Sequence, residues 1–187
     1  VDSAGATGLV DCGLSQERPF LDRNWEPFPI PPAAIETILL THAHLDHCGF
    51  IPKFVRDGFG GRILATPATI DLARIVLLDS ANIQEEDAAY KQKRHAKEGR
   101  KGPHPEIPLY TAQDAKASFE RFEPVGYLEP VRLNGSLTAR FHDAGHILGS
   151  SMITLDLREK GARRSVLFSG DIGQWAKPIV HDPSVFS

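Results

Sequence analysis

A layered α/β fold is predicted for this chain of 187 residues. Apolar runs of strand length occupy both ends of the chain, and helical patterns cluster in its middle. Gly- or Pro-rich breaks separate the predicted strands from the predicted helices. Such an order is typical of a sandwich in which sheets pack against helices. The length suffices for one sizeable core, so a single domain over residues 1–187 is predicted.

The first third of the chain reads as short strands separated by loops. Strands are predicted at residues 8–12, 35–40 and 62–65, where apolar residues end at a glycine or a polar cluster. The prolines in residues 27–32 have no backbone N–H to donate to a neighbouring strand, so a loop is predicted there. Residues 48–57 are predicted to be helical, with Gly58 ending the helix.

Helices dominate the middle of the predicted fold. Thr66 and Pro67 suit the N-cap and first turn of a helix, and apolar spacing continues it toward residues 84–87. The run 91–101 carries six Lys or Arg residues before a Gly-Pro break, and we expect a solvated loop there rather than an RNA contact. A capping box at residues 111–114 begins another helix that is expected to reach Phe122.

The last part of the chain is predicted to be a set of strands at residues 131–133, 137–141, 152–157 and 165–168. Three histidines without neighbouring ligand residues are expected at the surface: His95, His104 and His181.

Composition indicates a globular domain, since 41% of the residues are hydrophobic and 24% are charged. No apolar stretch has the length of a membrane span and the N-terminus lacks a signal layout, so a cytoplasmic location is predicted. The net charge of −3 argues against general attraction to nucleic acid, although a locally positive cleft can still take a polyanion. Cys12 and Cys48 are expected to be reduced and mostly buried.

The strongest chemical signal is the run Thr41-His42-Ala43-His44-Leu45-Asp46-His47, which follows a predicted strand. Side chains alternate along a strand, so His42 and His44 point to one side, and Asp46 and His47 follow where the chain bends. Imidazole nitrogens and carboxylate oxygens suit zinc and similar divalent metals. Four such groups so close together predict two adjacent metal ions. A solvated histidine cluster is the weaker alternative.

Two later segments repeat the arrangement of a strand followed by a potential ligand. Residues 143–146 contain Asp143 and His146 after one predicted strand, and Ser169-Gly170-Asp171 follows another. Each segment alone is weak evidence, because an Asp beside a Gly is usually a turn residue. Their repetition at strand ends suggests a site assembled from loops on a rigid scaffold.

The order HxHxDH, then a distant His, then an Asp after a strand resembles the metallo-β-lactamase superfamily. Asp11 in Leu9-Val10-Asp11-Cys12-Gly13 is similar to the early acidic motif of that superfamily. The β-CASP branch of RNA-processing nucleases is resembled more closely, on segments 41–49, 84–88, 108–111, 141–150 and 168–173. The fold implied is an αββα sandwich. It is expected to be incomplete, without its first strand, the β-CASP domain and the C-terminal return segment.

The resemblance implies a role for each site residue. One zinc would be held by His42, His44 and His146, and a second by Asp46 and His47, with Asp171 bridging both. Asp46 and Asp171 would be the catalytic carboxylates. Asp11 would support a ligand through hydrogen bonding. The family pattern does not make His142 a ligand, and we expect it to be structural or to support a ligand from behind. The second site would lack its usual final histidine, and the usual proton donor would also be absent.

The implied activity is hydrolysis of RNA phosphodiester bonds by a hydroxide that two Zn²⁺ ions activate. Two alternatives stay open: a small-molecule hydrolase acting on a thioester, lactone or β-lactam, and a truncated domain that binds metal without turnover. The sequence separation of 99 from His47 to His146 favours the nuclease, since compact small-molecule members tend to be shorter there. RNA is the expected partner, no membrane is expected, and a homo-oligomer stays open.

Overall fold

Two sheets form the framework of the molecule, which was examined as a computed structural model that describes residues 2–3, 6–159 and 162–186. The first sheet has five strands in chain order: β1 (Asp2–Ser3), β2 (Ala6–Val10), β3 (Thr37–Leu39), β4 (Arg62–Ala65) and β5 (Phe122–Pro124). β1 is antiparallel to β2, and the other neighbours are parallel. The short β1 was not expected from the sequence.

The second sheet is an antiparallel meander. It comprises β6 (Pro130–Arg132), β7 (Leu137–Asp143), β8 (Ser151–Glu159) and β9 (Ala162–Phe168) in chain order. Buried and half-buried residues alternate along β7, which fits a strand with one face toward the core and one toward solvent.

The strands of the first sheet are connected, in the described part of the chain, by helices α1 (Leu45–Cys48), α2 (Ile51–Arg56), α3 (Pro67–Glu98) and α4 (Ala112–Ser118). Short 3₁₀ segments lie at Arg18–Trp25, Pro32–Ala34 and Phe119–Arg121. The predicted helix 48–57 is in fact split into α1 and α2 around Gly49 and Phe50. The predicted helix to Phe122 is shorter than expected, because Phe122 pairs with Ile63 as part of β5.

Two apolar cores divide the molecule into three layers. One core lies between the helices and the first sheet, where Ile38 and Ile63 pack with Phe54 and Leu77. The other lies between the two sheets and contains Leu39, Leu64, Phe141 and Ile153 among others. The strands of the first sheet are therefore covered on both faces, as parallel strands usually are. The predicted α/β sandwich is confirmed.

The expectation of a loop over residues 91–101 is wrong for its first eight residues. α3 continues without interruption to Glu98 and ends where Gly99 takes a left-handed conformation, with φ of 63°. A glycine in that conformation is a common helix terminator, since it has no Cβ to clash.

His95 is buried rather than on the surface, and its Nδ1 bonds to Glu106.

None of the described helices is long and apolar enough to cross a lipid bilayer. Cys12 and Cys48 are free thiols and buried, as predicted.

Candidate metal centre

The end of β3 delivers the histidine motif. The strand is buried between β2 and β4, and its path continues through Leu40, whose N–H donates to the Leu64 carbonyl over 2.9 Å. His42 is completely buried, whereas His44 is exposed and is the N-cap residue of α1. Asp46 and His47 then lie in the first turns of that helix. The end of the strand thus positions His42 and His44, and the first turn of α1 brings Asp46 and His47 beside them.

Asp11 anchors this motif from the neighbouring strand. Its Oδ1 accepts from the Thr41 N–H over 2.7 Å, and its Oδ2 accepts from the Thr41 hydroxyl over 2.9 Å. The same Oδ2 is 2.7 Å from Nδ1 of His47. These three bonds hold Asp11 in a left-handed backbone conformation, with φ of 62°, which is uncommon for a residue other than glycine.

Gly13 allows the Asp11 loop to lie directly on α1. A Cβ at this position would be 1.7 Å from the carbonyl oxygen of Asp46, so no larger residue fits without a backbone shift. The close approach places the Cys12 N–H 2.7 Å from the His47 carbonyl. The anchor and the ligand helix therefore form one rigid unit.

His146 is presented by the loop between β7 and β8. The Ser150 Oγ accepts from the N–H groups of His146 and Ile147, over 3.0 and 3.2 Å. The Gly149 carbonyl accepts from the hydroxyls of Thr66 and Thr69, over 2.7 and 2.8 Å. The loop is consequently fastened to the N-terminal end of α3.

Asp171 follows β9 on a loop that packs against the His146 loop. A Cβ on Gly173 would be 1.6 Å from the carbonyl oxygen of Gly145, and the Gly173 N–H donates to the Ala144 carbonyl over 2.8 Å. Only glycine permits this contact. It brings the Asp171 carboxylate over the histidine motif, although the two are far apart in sequence.

Four side chains converge on one point in the completed arrangement. One ligand atom from each of His42, His44, His146 and Asp171 lies within 4.8 Å of the other three. The His44 Nδ1 is 3.1 Å from His42 Nε2 and 3.3 Å from His146 Nε2. The Asp171 Oδ2 is 3.8 Å from His42 Nε2 and 3.6 Å from His146 Nε2. Ligands around tetrahedral zinc are about 3.3–3.5 Å apart, so the donor set fits such an ion.

A second, looser group surrounds His47 Nε2. Asp171 Oδ1 is 3.4 Å from this nitrogen and Asp46 Oδ2 is 3.8 Å away. The two oxygens of Asp171 therefore face different groups: Oδ2 faces the three histidines and Oδ1 faces His47. Half of the Asp46 side chain is exposed, which leaves this side of the centre open to a ligand from solvent.

Hydrogen bonds behind the rings decide which nitrogen atoms face the centre. Because the Thr41 hydroxyl donates to Asp11, its oxygen accepts from Nδ1 of His42 over 3.0 Å, and Nε2 of His42 points forward without a proton. Asp11 accepts from Nδ1 of His47 in the same way. Imidazoles oriented by a carboxylate or hydroxyl behind them are common among metal ligands.

The pKa values of His42 and His47 are shifted in opposite directions. Burial, together with the adjacent His47 and His44, lowers the pKa of His42 to about 4, so this ring is neutral near pH 7. The hydrogen bond to Asp11 raises the pKa of His47 against the effect of its burial. Neutral rings and carboxylates facing a common point favour a cation there, since only a cation satisfies all the lone pairs together.

His142 lies apart from this cluster. Its Nε2 contacts the Thr154 hydroxyl over 2.9 Å, and its ring packs on Phe186 at 4.8 Å. Its supporting role therefore stays a prediction. His181 is almost fully exposed, as expected, and contacts Asp143, whereas His104 stacks on Trp25.

Three hydroxyl residues hold the ligand candidates in ways that were not predicted: Thr41, Ser150 and Thr66. Thr41 and Ser150 stand inside or beside the ligand motifs, and this proximity was the only available signal. Thr66 was recognised as a helix cap, and the structure confirms that role through a bond from the Thr69 N–H. Its second bond, to the loop of His146, depends on a contact across 83 residues.

The fold and site together define a class of metal-binding sandwich proteins whose ligands lie on loops at the edge of two sheets. A sequence profile described as the metallo-beta-lactamase superfamily domain matches residues 1–168. The chain therefore belongs to the metallo-β-lactamase superfamily. A metallo-β-lactamase of Cronobacter sakazakii shares the fold, with a TM-score of 0.54 and 18% identity over 96% of this chain and 58% of that one.

Curated relatives act on RNA or on transcription. Ribonuclease TTHA0252 of Thermus thermophilus is 33% identical over 98% of this chain and 36% of its own length. Transcription termination factor FttA of Methanocaldococcus jannaschii is 31% identical over 88% of this chain and 23% of its own length. The chain thus spans about a third or less of these relatives. They confirm the resemblance to the β-CASP branch.

Proposed function

We propose that the chain carries the metal centre of a β-CASP-type ribonuclease that hydrolyses RNA phosphodiester bonds. The observation that supports this most directly is the position of Asp171, whose two oxygens face two separate ligand groups. Paired metal ions share a carboxylate in this way in many enzymes that cleave phosphate esters. The names of the relatives favour RNA as the substrate. A cytoplasmic location is proposed with it.

The site residues have two proposed roles, which are to bind the metal ions and to orient a water molecule. We assign one zinc to the three histidines His42, His44 and His146, and a second to His47 and Asp46, with Asp171 shared. When bound, two such ions polarise a phosphoryl oxygen and lower the pKa of a water molecule toward neutrality. Asp46 is the exposed carboxylate beside the open side of the centre, and we assign it the role of accepting a hydrogen bond from such a water.

Zinc content and RNA cleavage test this proposal together. We expect about two zinc ions per chain by elemental analysis. We also expect cleavage of a labelled single-stranded RNA that Asp46→Ala reduces at least about a hundredfold, by removing the group that orients the water. Asp57→Ala is the matched control, because it removes an exposed carboxylate that, among the described residues, forms ion pairs with Lys53 and Arg56 alone.

Different results would point to different functions. Turnover of a thioester, lactone or β-lactam without RNA cleavage would replace the nuclease by a small-molecule hydrolase. One zinc or none, with no turnover of any substrate, would leave a metal-binding domain without activity. Equal loss of cleavage in the Asp57 control would show that the effect is not specific to the metal centre.

A further inference from the structure

A dense group of cations lies at the far end of α3 and has no part in the metal centre. We call it the basic cluster, and its members are Lys91, Lys93, Arg94, Lys97, Arg100 and Lys101. All six are exposed. They stand in a chain whose net charge is −3, so the rest of the molecule is more strongly negative than the total suggests. Such separation of charge makes one surface attractive to polyanions.

The positive charge of the cluster is only slightly compensated. Glu98 is the sole acidic residue between positions 91 and 104. It pairs with Arg94 at 3.8 Å and with Arg100, and the hydrogen bond from Arg100 keeps the pKa of this carboxyl below its usual range. Within the described part of the chain, no ion pair involves the four lysines. Their charges are free to meet phosphates.

The cluster is held on an ordered scaffold. His95 lies buried beneath it and bonds to Glu106, and the Gln92 side chain donates to the Glu106 carbonyl over 2.6 Å. The segment after the helix is thereby folded back, with Gly102 against the His95 ring. A binding surface that is already ordered loses less entropy when a ligand arrives.

An aromatic ring accompanies the cations. Tyr90 is 63% exposed, and the Arg94 guanidinium carbon lies 5.8 Å from its ring. Spacings of three, four and seven residues put Lys93, Arg94 and Lys97 on the same helical face as Tyr90. Exposed rings among cations are how many proteins bind single strands, because each base can stack while its phosphate is neutralised.

The cluster and the metal centre lie at opposite ends of α3. The N-terminal end of the helix is fastened to the His146 loop through Thr66 and Thr69. Leu72, which lines a groove beside His44, is 25 residues before Lys97, a distance of about 37 Å at about 1.5 Å per residue. The two sites are too far apart to contact one nucleotide. A longer strand can reach both.

We propose that the basic cluster, with Tyr90, is a docking site for single-stranded RNA that holds a part of the strand remote from the bond to be cut. The proposal rests on the ribonuclease function proposed above and adds the location of a second RNA contact. RNA is favoured over an acidic protein because the cations accompany an exposed aromatic ring.

The double variant Lys93→Gln/Lys97→Gln tests the docking site. Binding of a fluorescent RNA of about thirty nucleotides should weaken roughly tenfold at about 0.1 M salt, and the slope of log affinity against log salt should fall by about 1.4. Zinc content and cleavage of an RNA of about six nucleotides should stay unchanged, since so short a strand cannot span the helix. The matched control is Arg74→Gln/Lys116→Gln, which removes the same charge from exposed residues outside the cluster.

The outcomes separate the two proposals. Unchanged affinity of the Lys93/Lys97 variant for the long RNA would overturn the docking site while the nuclease function stands. The same loss in the control variant would also overturn it, by showing a general charge effect. Equal binding of polyglutamate and RNA in wild type would indicate an acidic protein partner instead. Failure of wild type to bind or cleave any RNA would remove both proposals.

Discussion

A single carboxylate, that of Asp11, decides the orientation of the His47 ring. Asp11→Asn keeps the shape and the tolerance for a left-handed backbone, but it replaces one acceptor oxygen by an NH₂ group. If that group occupies the Oδ2 position, it faces the Thr41 hydroxyl and His47 Nδ1. We expect the ring to change tautomer and zinc affinity at the His47 group to drop about 10–100-fold, as measured by competition with a chelator.

Asp11→Ala is the complementary variant. It leaves three donors without an acceptor, so we expect the free energy of unfolding to fall by about 2 kcal/mol or more in urea titrations. A variant with normal zinc affinity and normal stability would contradict the anchoring role. Full zinc content at the three-histidine group in Asp11→Asn would show that the effect is confined to His47.

His142 predicts a pH dependence of stability. Burial lowers its pKa, the Arg140 charge lowers it further, and Asp156 opposes this. The folded chain therefore binds fewer protons than the unfolded chain, whose histidines titrate near about 6.5. The stabilisation that this pKa difference gives to the folded state is fully present above about pH 6.5. It is lost as the pH falls below that value, toward the lower pKa of His142 in the folded state. In chelator-treated protein, urea titrations of His142→Gln should show a smaller loss of stability between pH 7 and 5.5.

The matched control for His142 is His181→Gln, whose side chain is 90% exposed. It should keep the pH dependence of the wild type. An equal change in both variants would refute the assignment to burial at position 142.

At the scale of elements, the N-terminus of α3 joins helix and ligand loop. Thr66→Ala removes both the cap and the bond to the Gly149 carbonyl, and we expect a loss of about 1–2 kcal/mol in the free energy of unfolding. The rate at which a chelator removes zinc should rise as well, because the His146 loop loses an attachment.

The cap of α4 provides the comparison. Thr111 caps that helix in a box with Asp114, and its side chain makes no hydrogen bond to a ligand loop within the residues that the structure describes. Thr111→Ala should cost similar stability without changing zinc release. Identical zinc release in both variants would contradict the attachment of the His146 loop to α3.

Elements with local signals could be predicted from the sequence, and those that depend on distant contacts could not. The strand before His42 and the start of α3 were predicted because apolar spacing and a Thr-Pro cap are readable within a few residues. The end of α3 was not predicted because Lys and Arg are common both in loops and on the exposed faces of helices. The bond from His95 to Glu106, which supports this end, joins residues that no local pattern connects.

The candidate site shows the same division. Spacing pointed to the four ligand candidates between His42 and His47, and positions after predicted strands pointed to His146 and Asp171. Asp11 and the division of the ligands between two ions required the family resemblance. Hydroxyl groups such as Thr41 and Ser150 were missed since their chemistry is ordinary. Only the fold reveals that the Thr41 carbonyl also accepts from the Ser151 N–H over 2.8 Å, which links the histidine motif to the second sheet.

At the scale of the whole molecule, the ligand candidates come from both sheets. His42 follows β3 of the first sheet, whereas His146 and Asp171 follow β7 and β9 of the second. Bound zinc should therefore join the two sheets. At free zinc a hundredfold above the dissociation constant, the stabilisation is about 2.7 kcal/mol, so a chelator should lower the Tm by about 5–10 °C.

His44→Ala is the control for metal removal, since it deletes one exposed candidate ligand of the three-histidine group. The Tm of this variant should respond to the chelator less than that of wild type. An unchanged Tm of the wild type after complete zinc removal would show that the ions do not couple the sheets.

The uninterrupted length of α3 has one more consequence. On the two proposals above, the fixed length of this helix separates the site that cleaves RNA from the site that docks it, so an oligonucleotide must extend along the helix to contact both. At about 3.4 Å per stacked nucleotide, the span corresponds to roughly eleven nucleotides. Shorter fragments would contact only one of the two proposed sites and dissociate faster, so we expect digestion by the proposed nuclease to slow at a defined product length instead of proceeding evenly to mononucleotides.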